Sequence, residues 1–101
     1  MAKKSKIANN NKKIKCIEIY SDRRKKLKRV LSDNRASIQE RYEAQVSLMK
    51  LPRNSCKVRH NNICSVTGKP RAFYRYFGVC RNVVRELSSF GLLPGVIKSS
   101  W

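Results

Sequence analysis

Acidic side chains are scarce in this sequence. Its 101 residues hold 6 Asp and Glu against 24 Lys and Arg, a formal net charge of +18. A chain so poor in counter-charge repels itself when folded alone and is comfortable only beside a large supply of negative charge. Nucleic acid is the foremost supply and an anionic membrane surface the second. Long apolar runs are missing too. The apolar stretches are a few residues each, far short of the roughly 20 that a spanning helix needs, and no apolar block follows the early lysines as a secretory leader requires. The one histidine is His60, and no acidic pair stands where a pocket would use it, so no enzyme activity, cofactor or small-molecule substrate is expected. The cysteines, at 16, 56, 64 and 80, lack the tight spacing of a disulfide framework, and reduced thiols are expected. The length allows one small domain at most.

What is present divides at residue 50. Residues 1–50 read as a basic N-terminal arm and two helices, and residues 51–101 as an RNA-binding knuckle, a short helix and a tail. The arm, residues 1–13, is polar and basic with no apolar period, and is expected to be disordered when free. From Lys12 to Leu31 a helical seam recurs at spacings of three and four: Ile14, Ile17, Tyr20, Leu27 and Leu31, with Arg24 in the gap. The rest of that surface is nearly all Lys and Arg, which suits phosphate. Ser32-Asp33-Asn34 reads as a break. Ser37 and Glu40 then form a capping box, and a helix runs from Ile38 to about Lys50 with Ile38, Tyr42, Val46 and Met49 as its apolar face. This helix is expected to pack on the first as a helical hairpin. Pro52 ends it. The segment from Leu51 to Ile63 has little to bury and is expected to be extended and irregular, lining a partner with Arg53, Lys57, Arg59 and His60.

Residues Cys64 to Phe90 concentrate the chemistry. Gly68-Lys69-Pro70 is a turn. Arg71, Arg75, Arg81 and Arg85 then alternate with Phe73, Tyr74, Tyr76 and Phe77, cations for phosphate beside rings that stack on bases. A short helix begins near Cys80, with Val83, Val84, Leu87 and Phe90 on its apolar side and Gly91 as its stop. Cys64 and Cys80 stand where two C-x-x-C pairs would begin, but the second members fall on Thr67 and Val83, which bind zinc poorly. The fold class is therefore mainly α: a basic arm and helical hairpin, an extended segment, then a degenerate zinc-knuckle-like turn with a short C-terminal helix and an irregular tail.

Leu51-Pro-Arg-Asn-Ser55, Thr67-Gly-Lys-Pro-Arg71, Tyr74-Arg-Tyr-Phe-Gly78, Arg85-Glu86 and Pro94-Gly-Val-Ile-Lys-Ser-Ser-Trp101 closely resemble the small-subunit ribosomal protein S-fourteen family. The opening Met1-Ala-Lys-Lys-Ser5 and the helix-break-helix layout resemble its long, zinc-free form. The resemblance implies a structural constituent of the small ribosomal subunit head that binds the 3′ major domain of the small-subunit rRNA and supports assembly and translation. It implies neighbours numbered three and ten among the small-subunit proteins. It also implies an N-terminus that is mature rather than a cleaved presequence. The A/T-rich codons of Lys, Asn and Ile point to an organelle or endosymbiont genome; the mitochondrial matrix is the favoured compartment and the bacterial cytoplasm the alternative.

On these grounds Arg23, Arg24, Lys28, Arg53, Arg59, Lys69, Arg71, Arg75, Arg81, Arg85 and Lys98 are the expected phosphate contacts. Tyr74 and Tyr76 are expected to stack, and Trp101 to dock on RNA or a neighbouring protein. No metal is expected. The alternative is a Cys₃His site of Cys56, His60, Cys64 and Cys80, as in a zinc-knuckle protein. A sequence-nonspecific DNA-binding protein is the competing function. A membrane-active peptide is disfavoured, because only residues 14–31 approach the broad apolar face it needs.

Overall fold

The computed structural model describes residues 2–100, so the docking role expected of Trp101 falls outside the described residues. The chain forms two compact units, Met1–Ala8 with Asn61–Trp101, and Asn9–His60. In chain order the elements are α1 (Lys4–Ser32), α2 (Ile38–Lys50), two 3-10 turns (Arg53–Ser55 and Lys57–Arg59), β1 (Phe73–Tyr74), β2 (Val79–Cys80) and α3 (Arg81–Ser89). This is the mainly α architecture that the sequence predicts.

The helix α1 starts at Lys4, so residues 4–11 are helical and not the disordered arm expected of them. The reason is a longer seam. The three-four spacing continues upstream through Asn10 to Ile7; Asn10 is buried, and a Cβ on Gly68 would meet the Ile7 side chain at 2.7 Å. The backbone N–H of Ala2 donates to the Thr67 carbonyl at 3.1 Å, which ties Ala2 to the turn that holds Gly68. Downstream the seam is as predicted, with Ile14, Ile17, Tyr20, Arg24, Leu27 and Leu31 all half-buried.

At the break, the Asp33 carboxylate accepts the Arg35 N–H at 2.9 Å and the Asp33 carbonyl accepts the Arg41 guanidinium. The capping box is present: the Glu40 N–H donates to the Ser37 hydroxyl at 3.2 Å, and the Ser37 N–H donates to the Glu40 carboxylate at 3.0 Å. The two helices run antiparallel, since Tyr20 and Leu27 of α1 share a cavity with Ser47 and Leu51 at the far end of α2.

The face that α2 buries differs from the expected one. Ala44 is buried and Arg41, Val46 and Leu48 are half-buried, so Val46 of the expected face is covered, while Ile38 (88% exposed), Tyr42 (68%) and Met49 (73%) face solvent. Two helical series compete here, and the more apolar one loses. Arg41 ties its side of α2 to the inter-helix turn. Residues 53–59 also differ, coiling into two 3-10 turns where an extended segment was expected. Ser55 organises them. It is 1% exposed, its N–H and hydroxyl both donate to the Pro52 carbonyl, and its oxygen accepts Arg24 Nε at 2.8 Å.

In the other unit the core is small: Cys64, Val79, Cys80 and Val83, with Phe77, Val84 and Leu87 packed against them. The turn over residues 64–69 closes through Gly68 N–H to the Cys64 carbonyl at 2.8 Å and Cys64 N–H to the Lys69 carbonyl at 3.0 Å. Gly68 takes φ +71°, left-handed geometry that a side chain resists. The strands form an antiparallel hairpin with Phe73 opposite Cys80 and Tyr74 opposite Val79. The end of α3 is a Schellman motif, with Gly91 N–H to the Ser88 carbonyl at 3.1 Å and Leu92 N–H to the Leu87 carbonyl at 3.0 Å. Because α3 ends at Ser89, Phe90 drops out of the apolar period and is 77% exposed, contrary to expectation.

Two substitutions test this account by hydrogen exchange on the full chain. Ser37→Ala removes the cap hydroxyl and costs about 1 kcal/mol of α2 stability, read as faster exchange in the first turn of α2. Gly68→Ala and Gly91→Ala both place a side chain in left-handed geometry, at about 1–2 kcal/mol each. Gly68→Ala costs more, because Ile7 must also move aside, whereas nothing lies within 4 Å of the Gly91 site.

Candidate nucleic-acid interface

The hairpin and the start of α3 set the cationic surface of the unit that holds the knuckle. The turn after β1 carries Arg75 and Tyr76 and closes with Gly78 N–H to the Tyr74 carbonyl at 2.8 Å. Phe77 turns back onto the core, and the Tyr76 ring meets it edge-on, with centroids 5.0 Å apart and planes at 90°. Tyr76 is thus braced from one side and 92% exposed. Tyr74 is 46% exposed, while Phe73 is half-buried. Ala72 adopts φ +54°, and its carbonyl accepts the Arg81 N–H at 2.8 Å. That bond draws the backbones beside Arg71 and Arg81 together. Lys69, Arg71, Arg75, Arg81, Arg85 and Lys98 are all exposed.

At the first turn of α3, a cavity of about 410 Å³ is lined by Lys6, Lys69, Thr67 and Asn82, with Glu86 opposing the cations. Lys6 was not among the expected contacts. Its only sequence signal was position in a helix taken for a loose arm.

In the unit of residues 9–60, Arg23, Lys28, Arg53 and Arg59 are exposed. Arg24 is half-buried and held at Nε by Ser55. Lys25 and Lys57 join Arg24 and Lys28 around a second cavity of about 190 Å³. Neither of these lysines was singled out; Lys25 shares a helical face with Lys28, but nothing local in the sequence marks Lys57 as its neighbour. Among the described residues one ion pair forms, Lys25 with Asp22 at 3.9 Å, both exposed. Most of the surface cations of each unit therefore have no carboxylate partner among the described residues. No helix among the described residues is long and apolar enough to cross a membrane.

All four cysteines are free thiols. Among the described residues no three His, Cys, Asp or Glu side chains gather as a metal site; Cys56 and His60 lie in one unit and Cys64 and Cys80 in the other. Cys64 and Cys80 do meet in one core, each 2% exposed. Thr67, at a zinc-ligand position in the pattern, places its hydroxyl 3.7 Å from the Cys80 sulfur. Cys80 precedes α3 without making a side-chain cap hydrogen bond. Burial pushes the Cys64 thiol up, but hydrogen bonds from the Thr67 hydroxyl and from the backbone at Thr67, Cys80 and Val66 outweigh it and bring the thiol from 9.0 down to about 6.

The folded value lies below the unfolded one, so the stabilisation is complete above pH 9, declines as pH falls, and is lost below about 6. Wild type therefore loses more stability than Cys64→Ser across that window, measured as the shift of the denaturant midpoint with pH. Thr67→Val raises the Cys64 pKa, seen in ultraviolet thiolate absorbance.

Comparison with known proteins identifies the family. A family profile described as "Ribosomal protein S14p/S29e" matches residues 47–100. Among similar proteins, the small ribosomal subunit protein uS14 of Wolbachia pipientis wMel is 52% identical over 102 aligned residues, covering all of both chains. Those of Chelativorans sp. (strain BNC1) and Bartonella quintana (strain Toulouse) are 48% and 46% identical over 101 residues, again covering all of both chains. These relatives are bacterial, so the mitochondrial assignment expected from composition is not borne out. With a profile match over more than half its length and relatives this similar from end to end, the chain belongs to the ribosomal protein S14p/S29e family.

Proposed function

We propose that this protein is a structural constituent of the small subunit of a bacterial ribosome, binding small-subunit rRNA through the cations of both units. Family membership supports a structural role in the ribosome and not an enzymatic one. The observation that carries the rRNA reading is the charge balance: 24 cations against 6 acids, with one exposed ion pair among the described residues.

The division of labour follows the chain. Residues 51–101 carry the family-specific contacts and residues 1–50 the general cationic ones, a division supported by the profile match that begins at residue 47. Lys69, Arg71, Arg75, Arg81, Arg85 and Lys98 take phosphates in the first group, and Arg23, Arg24, Lys28, Arg53 and Arg59 extend the contact. Arginine suits the task because its planar fork engages two phosphate oxygens. Tyr76, braced by Phe77 and exposed, and Tyr74 beside it, stack on bases. Trp101 docks at the tail. Placement in the subunit head, on the 3′ major domain and beside the proteins numbered three and ten, rests on the family resemblance.

One surface is unsuited to phosphate. The outer face of α2 carries Ile38, Tyr42 and Met49, and the helix holds Glu40 and Glu43. Apolar side chains beside carboxylates fit a protein neighbour.

The direct test is reconstitution of the full chain into bacterial small subunits, followed by sedimentation at modest salt. The chain is expected in the small-subunit fraction; its absence there overturns the proposal. Photo-cross-linkers placed by Arg75→Cys and Tyr42→Cys divide the surfaces. The first is expected to recover rRNA and the second a ribosomal protein; the reverse pattern refutes the assignment of faces.

A further inference from the structure

The cavity of about 190 Å³ in the unit of residues 9–60 has a chemistry of its own. Ile17, Cys56 and Val58 line it with apolar groups, and Lys25, Lys28 and Lys57 also line it, the Lys25 ammonium standing 3.9 Å from the exposed Asp22 carboxylate. Arg24 also lines it. Its Nε is committed to the Ser55 oxygen at 2.8 Å, and Ser55 is 1% exposed and tied to the Pro52 carbonyl. The guanidinium plane is therefore held in place. Its two terminal nitrogens make no hydrogen bond among the described residues and are free for a ligand.

The volume narrows the choice of ligand. Pockets for drug-sized molecules run to about 300–1,000 Å³, so this slot takes one small ring system. An apolar slot ringed by cations calls for a flat, weakly polar group flanked by negative charges at short intervals. A nucleotide strand has that alternation, with a base between two phosphates. A fixed arginine plane is a surface on which an unstacked base lies.

We infer that this slot receives a single unstacked base of the bound rRNA, stacked on the Arg24 guanidinium, while Lys25, Lys28 and Lys57 hold the phosphates on either side. The inference rests on the rRNA reading above and adds a base-recognition site to a surface otherwise described as binding backbone.

The test uses small subunits reconstituted with the full chain. Hydroxyl-radical cleavage reads the rRNA backbone, and base-specific chemical modification reads the bases. Wild type is expected to protect a short run of backbone and one base within it. Ser21→Phe, which fills the slot from the half-buried α1 position that lines it, and Val58→Glu, which places a carboxylate beside it, are each expected to restore reactivity of that same base by about five-fold or more, with backbone protection kept. Val58 is 87% exposed, so the second variant leaves the fold undisturbed should the first distort α1. Backbone protection with no base whose reactivity depends on either variant overturns the slot and leaves the rRNA reading standing. No footprint at all overturns both.

Discussion

The pair of Lys25 and Asp22, exposed on α1 at 3.9 Å, is the ion pair that forms among the described residues. An exposed pair of this kind contributes about 0–1 kcal/mol, and the net charge of +18 already counts both its members. Every other feature follows from that constraint. Cations that find no partner inside must stay on the surface, and there they raise the free energy of any compact state. The apolar interior is correspondingly thin, with Ala44, Cys64, Val79, Cys80 and Val83 as its buried hydrophobic residues. A polyanion that neutralises the surface removes the cost that the core is too small to offset.

Local devices hold the shape where burial does not. The capping box starts α2, the Schellman motif ends α3, Ser55 joins the first 3-10 turn to one arginine, and hydrogen bonds close the turn around Cys64 and Thr67. Each takes few residues and leaves long side chains outside. The same devices set function: the turn that aims Tyr76 outward is braced by Phe77, and the serine that anchors the 3-10 turns also fixes Arg24.

Much of this was legible in the residue order. The break at Asp33, the box of Ser37 and Glu40, the span of α2 and the Gly91 stop are set by local rules, and the structure has them where those rules put them. The seam of α1 was legible downstream of Lys12 but not upstream, because Ile7 acquires its meaning from Gly68, far along the chain. The buried face of α2 was misread for a related reason. Counting apolar residues favours Ile38, Tyr42, Val46 and Met49, whereas Ala44 is the buried residue and Arg41 reaches a carbonyl in the turn. The exposed cations of the interface were legible as types, but their grouping was not: nothing in local sequence says that Lys57 and Lys25 line one cavity.

The central claim is that this surface is completed by phosphate, and the salt dependence of binding measures that most directly. For the purified chain and small-subunit rRNA, with about six to ten phosphate contacts, the plot of log affinity against log salt should fall with a slope of roughly −5 to −9. A slope near zero, or a chain that melts cooperatively as a rigid monomer with no response to rRNA, would contradict it.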